Sequence, residues 1–418
     1  MNKDRLKEIM LDQKNIFSDN QKLIERDVDL DRYIRSEQVV VITGVRRCGK
    51  SSLLYLIKQR MKLRDEDYCY FNFDDERIVN DVSILDNLDN LHQEMYGKEA
   101  ALFLDEIQII NGWEKFVNRL YEQNRKIFVT GSNASLLSSE ISTSLTGRNI
   151  TIELTPFSFN EYCRFKRITF NLDRLSAKDK PTIMRAFNVF IQKGGFPLVV
   201  KEDDLELLDA YFKDILYRDI IARHRITQVD ELKQMGVYFF ANVSKLFSYS
   251  TLQKITGIKS TNSVNEYLNY YALSFLFYYV RKFDYSLKKQ ILNPRKVYAI
   301  DQGFSTRIGF NFSSNKGRIL ENLIFLELLN RKKEIFYFSG KGECDFVIKQ
   351  GLKISEVIQV CYLLTRENVD REVTGLIEAM NEFKLDKGYL IIYDNEISLS
   401  ELPETIHIIP AWKWLLDK

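Results

Sequence analysis

The stretch Val39-Val40-Val41-Ile42-Thr43-Gly44-Val45-Arg46-Arg47-Cys48-Gly49-Lys50-Ser51-Ser52-Leu53-Leu54 runs an apolar, β-branched segment into G-x-x-x-x-G-K-S and then into a helical pattern. Strand, glycine-rich turn and helix in that order are the setting a phosphate-binding loop requires. Gly44 and Gly49 let the backbone wrap closely, so that successive N–H groups can point inward as an anion nest. The following helix presents an N-terminus carrying about half a positive charge. Gly44, Val45, Arg46, Arg47, Cys48, Gly49, Lys50, Ser51 and Ser52 are therefore expected to bind ATP. Lys50 would reach the β- and γ-phosphates, and the Ser51 hydroxyl would ligate Mg²⁺.

Outward from that loop, Tyr68-Cys69-Tyr70-Phe71-Asn72-Phe73 predicts a buried strand, and a helix is expected from about Ile84 to Met95. Ala101-Leu102-Phe103-Leu104-Asp105-Glu106 then gives four apolar residues followed by two carboxylates, the Walker B pattern. Asp105 is expected to hold Mg²⁺ through water, and Glu106 to act as general base on the attacking water. A further strand, Lys126 to Thr130, ends in Gly131-Ser132-Asn133. Asn133 is the first candidate to reach the γ-phosphate and the lytic water, with Ser132 second; either residue can equally cap a helix. Arg148, just before the strand Asn149 to Leu154, is a candidate finger into a neighbouring subunit's site, and otherwise a solvated arginine. A strand intervening between P-loop and Walker B, with Glu after Asp, resembles the additional-strand, catalytic-glutamate class of P-loop NTPases. All these residues are expected at the carboxyl ends of a parallel sheet, where such folds bind ligands.

The 418 residues allow two or three domains. A net charge of +2 excludes a global polyanion-binding surface, so any nucleic-acid contact must be a local patch. Five scattered cysteines without a C-x-x-C pair fit a reducing, cytoplasmic setting. Three distant histidines (His92, His224, His407) argue against a histidine metal site. The N-terminus lacks the apolar core of a signal peptide, and Tyr271 to Val280 is too short to span a membrane, so no membrane partner is expected.

Five motifs recur in a characteristic order: Gly44 to Leu54, Leu104-Asp105-Glu106-Ile107-Gln108, Thr130-Gly131-Ser132-Asn133, Leu145-Thr146-Gly147-Arg148 and Leu154-Thr155-Pro156-Phe157-Ser158-Phe159-Asn160-Glu161. With Gly194-Gly195-Phe196-Pro197 and Tyr217-Arg218-Asp219-Ile220, they resemble the archaeal and bacterial AAA-type ATPases with a C-terminal domain of unknown function. The resemblance covers nearly the whole chain and is most specific in its first half. It implies an α/β fold: an AAA-like P-loop core with a parallel sheet (1–162), a helical lid (163–235), a winged helix (236–300) and a restriction-endonuclease-like α/β domain (301–418).

The residues themselves fit that division. Helices are expected from about Tyr162 to Lys233, where Arg218 could approach nucleotide or lie on a solvated face. Ser250 to Thr256, Gly257, Val264 to about Leu273, and strands Phe277 to Phe283 and Lys296 to Ile300 follow the helix–turn–helix–hairpin order of a winged helix. Lys254, Lys259, Asn262 and Asn265 are candidate contacts to duplex DNA, a protein partner being the other reading. Glu321 on a helix and Asp345 on a strand match the first two acids of the PD-(D/E)-x-K nuclease layout. Gln359 and Cys361 stand where that layout needs an acid and a lysine, so the domain is expected to be inactive. Together these features lead us to expect an ATPase whose nucleotide state controls DNA or protein binding, active as a homo-oligomer if Arg148 works in trans. The alternatives are an ATP-gated metal-dependent nuclease and an interaction module with negligible turnover.

Overall fold

Short runs of apolar, mostly β-branched or aromatic residues form five strands: Val39–Thr43 (β1), Tyr68–Asn72 (β2), Ala101–Asp105 (β3), Ile127–Gly131 (β4) and Asn149–Glu153 (β5). They make one parallel sheet in the order β2-β3-β4-β1-β5. This is seen in a computed structural model that describes residues 2–18, 23–132, 145–309, 315–394 and 402–417. Every residue of β1 is buried, as expected of a strand covered on both faces. Helices Lys3–Ser18 (α1), Leu30–Arg35 (α2), Lys50–Arg60 (α3), Ser83–Tyr96 (α4) and Trp113–Glu122 (α5) accompany the sheet. Phe17 of α1 stacks on Tyr70 of β2 with centroids 3.9 Å apart, and Phe103 stacks on Phe128 at 4.8 Å.

Register brings the strand ends level. Thr43 lies opposite both Gly131 and Glu153, and Asn72 lies opposite Asp105. The phosphate loop and the Asp105–Glu106 turn therefore leave the sheet at one edge. Among the described residues no helix is long and apolar enough to cross a membrane.

The chain divides into two compact units, 1–155 with 273–275, and 156–272 with 276–418. The second begins with helices Phe159–Phe165 (α6), Asp179–Lys193 (α7), Pro197–Glu202 (α8), Glu206–Asp214 (α9) and Val229–Ala241 (α10), with a π-helical stretch over Ile215–Ile221. Strands Leu246–Phe247 (β6), Phe277–Arg281 (β7) and Arg295–Ala299 (β8) form an antiparallel sheet in the order β6-β8-β7. Between β6 and β7 lie helices Tyr249–Thr256 (α11) and Thr261–Leu273 (α12). Helix Lys316–Asn330 (α13) precedes a second five-stranded sheet: Glu334–Ser339 (β9), Glu343–Gln350 (β10), Lys353–Cys361 (β11), Gly388–Ile392 (β12) and Ile406–Pro410 (β13). Its first three strands are antiparallel and its last three parallel, with helix Val369–Phe383 (α14) as the crossover from β11 to β12.

Two sequence motifs meet at the start of this unit. Ser158 and Glu161 form a reciprocal capping box on α6, which explains the Ser-Phe-Asn-Glu wording. The Phe157 amide donates to the Gly195 carbonyl at 2.8 Å, and a Cβ on Gly195 would sit 2.2 Å from the Phe157 oxygen. Asp301 closes the same knot. Its buried carboxylate accepts from the amides of Gly195 (2.6 Å) and Gly303 (2.8 Å).

Burial pushes the Asp301 carboxyl up to about 7, against those two hydrogen bonds. Its ordinary value is 3.8, so between about 4 and 7 the folded chain keeps a proton that the unfolded chain has lost. Stability should then fall as pH rises through that window and level off above it. The check is thermal unfolding against pH for wild type and D301N. Wild type should lose stability relative to the variant between about pH 4 and 7. Parallel profiles would assign the slope to another group.

Candidate nucleotide-binding site

Gly44 leaves β1 with φ 144°, and a Cβ there would lie 2.1 Å from the Leu154 carbonyl oxygen. The loop and the end of β5 can approach this closely only because residue 44 is glycine. Arg47 and Gly49 also take positive φ, at 71° and 104°. Gly49 caps α3 with no side-chain hydrogen bond, leaving the first turn of an eleven-residue helix to a ligand. Arg26 steadies the loop from outside, donating to the carbonyls of Cys48 (3.1 Å) and Thr155 (2.7 Å). Val45 and Cys48 are buried, and burial pushes the Cys48 thiol up.

The Lys50 ammonium is folded inside the loop. It donates to the carbonyls of Gly44 (3.2 Å) and Val45 (3.3 Å) and stands 3.5 Å from Glu106 Oε1. Burial opposes its charge, but Glu106, then Cys48 and Asp105, outweigh burial and hold Lys50 above its ordinary value. Glu106 sits just past β3 in the left-handed region, φ 53°, a conformation that costs a non-glycine residue about 1 kcal/mol or more. Its amide donates to Thr130 Oγ1 at 2.9 Å, and Gln108 Nε2 donates to its Oε2 at 2.6 Å. Burial would raise its pKa, but Lys50, Gln108, Arg46 and Ser132 together hold it below the usual glutamate value.

Asp105 is fully buried beside it. Tyr70 donates to Oδ2 at 3.0 Å, Thr130 donates to Oδ1, and Ser51 also hydrogen-bonds the carboxylate. Burial and then Glu106 push its pKa up, against those three donors. The Ser51 hydroxyl and the Asp105 carboxylate thus form a hard oxygen donor set suited to Mg²⁺. Thr43 Oγ1 and Gln108 Oε1, buried at the same edge, have no hydrogen-bond partner among the described residues.

The fold therefore brings together Lys50, Ser51, Asp105 and Glu106, with Arg46 paired to Asp74 at 3.3 Å. The expected position of Arg148 at the carboxyl ends of the sheet requires a correction. It precedes β5, and Val39, the first residue of β1, lies opposite Asn149, so Arg148 lies at the amino edge of the sheet. There it donates to Asn118 and, at 2.8 Å, to Glu122 on α5. A residue just before a parallel strand must lie at the end opposite to a loop that follows one. Asn133 lies outside the described residues. Thr130 and Gln108 lie within the recurring motifs but had no role assigned, and Tyr70 lies in none; sheet register and the tight turn at Glu106 bring all three to the carboxylates.

A family model described as an AAA domain matches residues 36–163, and a second, described as a domain of unknown function, matches 184–314. The first unit thus carries an AAA-type, nucleotide-binding ATPase domain. Over 432 residues the chain is 37% identical to the uncharacterized protein MJ1544 of Methanocaldococcus jannaschii, covering 98% of this chain and 94% of that one. The chain belongs to the family of that protein. An uncharacterized Haemophilus influenzae protein is 28% identical over 415 residues, covering 94% and 99%. Among solved structures, replication initiator DnaA bound to AMPPCP and single-stranded DNA is 16% identical with a TM-score of 0.30, covering 57% of this chain and 83% of that one. The Thermotoga maritima RuvB branch migration motor is 15% identical with a TM-score of 0.28, covering 66% and 87%.

Substituting Y70F removes one of the three donors to a carboxylate with no access to water. The expected cost is about 1–3 kcal/mol, measured by chemical denaturation. A variant as stable as wild type would show that the phenol contributes nothing net.

Proposed function

We propose that this chain is a Mg²⁺-dependent ATPase whose nucleotide state controls binding of DNA or a protein by its second unit. The observation that carries the reading is the convergence of Lys50, Ser51, Asp105 and Glu106 at one sheet edge, beside a helix N-terminus with no side-chain cap. The backbone from Gly44 to Ser52 would cradle the phosphates, and Lys50 would exchange Glu106 for the β- and γ-phosphates. Ser51 and Asp105 would hold Mg²⁺, which when bound neutralises phosphate charge. Released from Lys50, the Glu106 carboxylate would orient a water and take its proton as that oxygen bonds the γ-phosphorus and the bond to ADP breaks. Its left-handed turn and the Gln108 hydrogen bond keep it aimed at the loop's mouth. Asn133, or Ser132, would contact the γ-phosphate and that water.

On this reading residues 1–162 are the ATPase core, 163–235 a helical lid, 236–300 a winged helix and 301–418 a restriction-endonuclease-like domain. Support for the third comes from α11, Gly257 at φ 74°, α12 and the β7–β8 pair in succession. Lys254, Lys259, Asn262 and Asn265 are exposed there and could meet DNA phosphates or bases. Arg148, at the sheet edge away from its own loop, would serve only a neighbouring copy's site.

Phosphate release should be lost in K50A along with ATP binding. E106Q should keep ATP binding and lose at least about 10²-fold in turnover. Normal turnover in E106Q would overturn the base assignment. R148A should abolish any dependence of specific activity on protein concentration; an unchanged dependence would remove the finger. Duplex DNA added to wild type, with K50A as background, should raise the rate. A rate indifferent to DNA would point to a protein partner.

A further inference from the structure

The second unit contains a buried charge cluster that the ATPase reading does not use. Lys296 of β8 is 2% exposed, yet its ammonium touches three carboxylates: Glu343 Oε1 at 2.6 Å, Asp345 Oδ1 at 2.8 Å and Glu321 Oε1 at 3.0 Å. Glu321 and Asp345 are the two acids that match the nuclease layout. The neighbouring groups complete the cluster. Tyr298 donates to Glu321 Oε1 at 2.7 Å, and the Val360 amide donates to Asp345 Oδ2 at 3.0 Å. Gln359, standing where the layout needs an acid, accepts from the Asp345 amide (3.1 Å) and donates to Glu372 (2.9 Å), so its side chain is spent on the frame. Cys361 Sγ, in the lysine's place, turns away to the Leu363 carbonyl.

We propose that the Lys296 ammonium is the resident cation of this acid cluster, held at the point where a nuclease of this layout would hold a divalent metal. Three oxygens converge on one centre at 2.6–3.0 Å, which matches charge-assisted N–H···O bonds. Mg²⁺ or Mn²⁺ would need them near 2.0–2.2 Å, at a position the nitrogen already fills. An ammonium has three protons, and each finds a carboxylate here, so the group is fully satisfied while buried. Burial opposes the charge on Lys296, but Asp345, Glu321, Tyr298 and Glu343 outweigh it and keep the ammonium protonated. Burial and Asp345 push the Glu321 carboxyl up to about 8, in spite of Lys296. With the ammonium at the point where the three acids converge, the cluster has no place there for a further cation. The wild-type chain then has no metal-dependent cleavage chemistry in this unit. Instead, Lys296 ties β8 to α13 and β10 through buried charge.

The test is Mn²⁺ binding to the full chain without nucleotide, followed by the electron paramagnetic resonance of free Mn²⁺. Wild type and D345N should bind equally little. K296M should gain one Mn²⁺ per chain and a Mn²⁺-dependent rise in unfolding temperature, and K296M/D345N should lose both. Mn²⁺ binding by wild type that D345N abolishes would overturn the proposal, as would a folded K296M that gains no site. If K296M fails to fold, K296Q removes the charge while keeping a polar, hydrogen-bonding end to the side chain. The wild-type arm stands independently: Mn²⁺-dependent plasmid cleavage that E321Q abolishes would also overturn the proposal.

Discussion

A carboxylate sealed from water at the end of a sheet must be met by donors from inside the protein, and the ATPase unit is arranged around that demand at Asp105. Its donors come from Tyr70 on the next strand, Thr130 on the other side and Ser51 on the loop helix. Two of them do double duty. Thr130 also anchors the Glu106 amide, and Tyr70 carries the Phe17 stack that binds α1 to the sheet. Position and charge at the candidate site therefore depend on register across three strands, and a one-residue slip in any of them would send these side chains to the opposite face.

What was legible in the sequence was what is local. The phosphate loop and the Asp105–Glu106 pair are contiguous runs in which residue type and spacing carry the chemistry, and both lie where expected. The helical stretch after Pro156 and the later alternation of helices and strands were readable from periodicity. Tyr70 was not, because a tyrosine in an apolar strand usually means packing. Lys296 was not either: it is 25 residues from Glu321 and 49 from Asp345, in a segment that reads as part of another module. The nuclease layout takes its lysine from the strand that carries the third acid, here β11 with Gln359 and Cys361, whereas this fold supplies one from β8. The placement of Arg148 was recoverable, since chain direction alone puts it at the amino edge.

The second unit shows the same dependence on close backbone contact. At Gly195 and Gly44 a single methyl group would collide with a carbonyl oxygen, at 2.2 and 2.1 Å. In each case a loop is keyed to its neighbour by the lack of a side chain, and such contacts are intolerant because interiors are close-packed.

The pairing of Lys50 with Glu106 has a consequence for selectivity. In the resting site the Lys50 ammonium is answered first by Glu106. A bare anion that took Lys50 would leave Glu106 next to the buried Asp105, with the charge of Arg46 still acting on it. A polyphosphate that arrives with its own divalent ion brings a counter-charge for both sides of the exchange. Discrimination against lone phosphate or sulfate would then come from the partner that Lys50 leaves behind, and not from the shape of the loop.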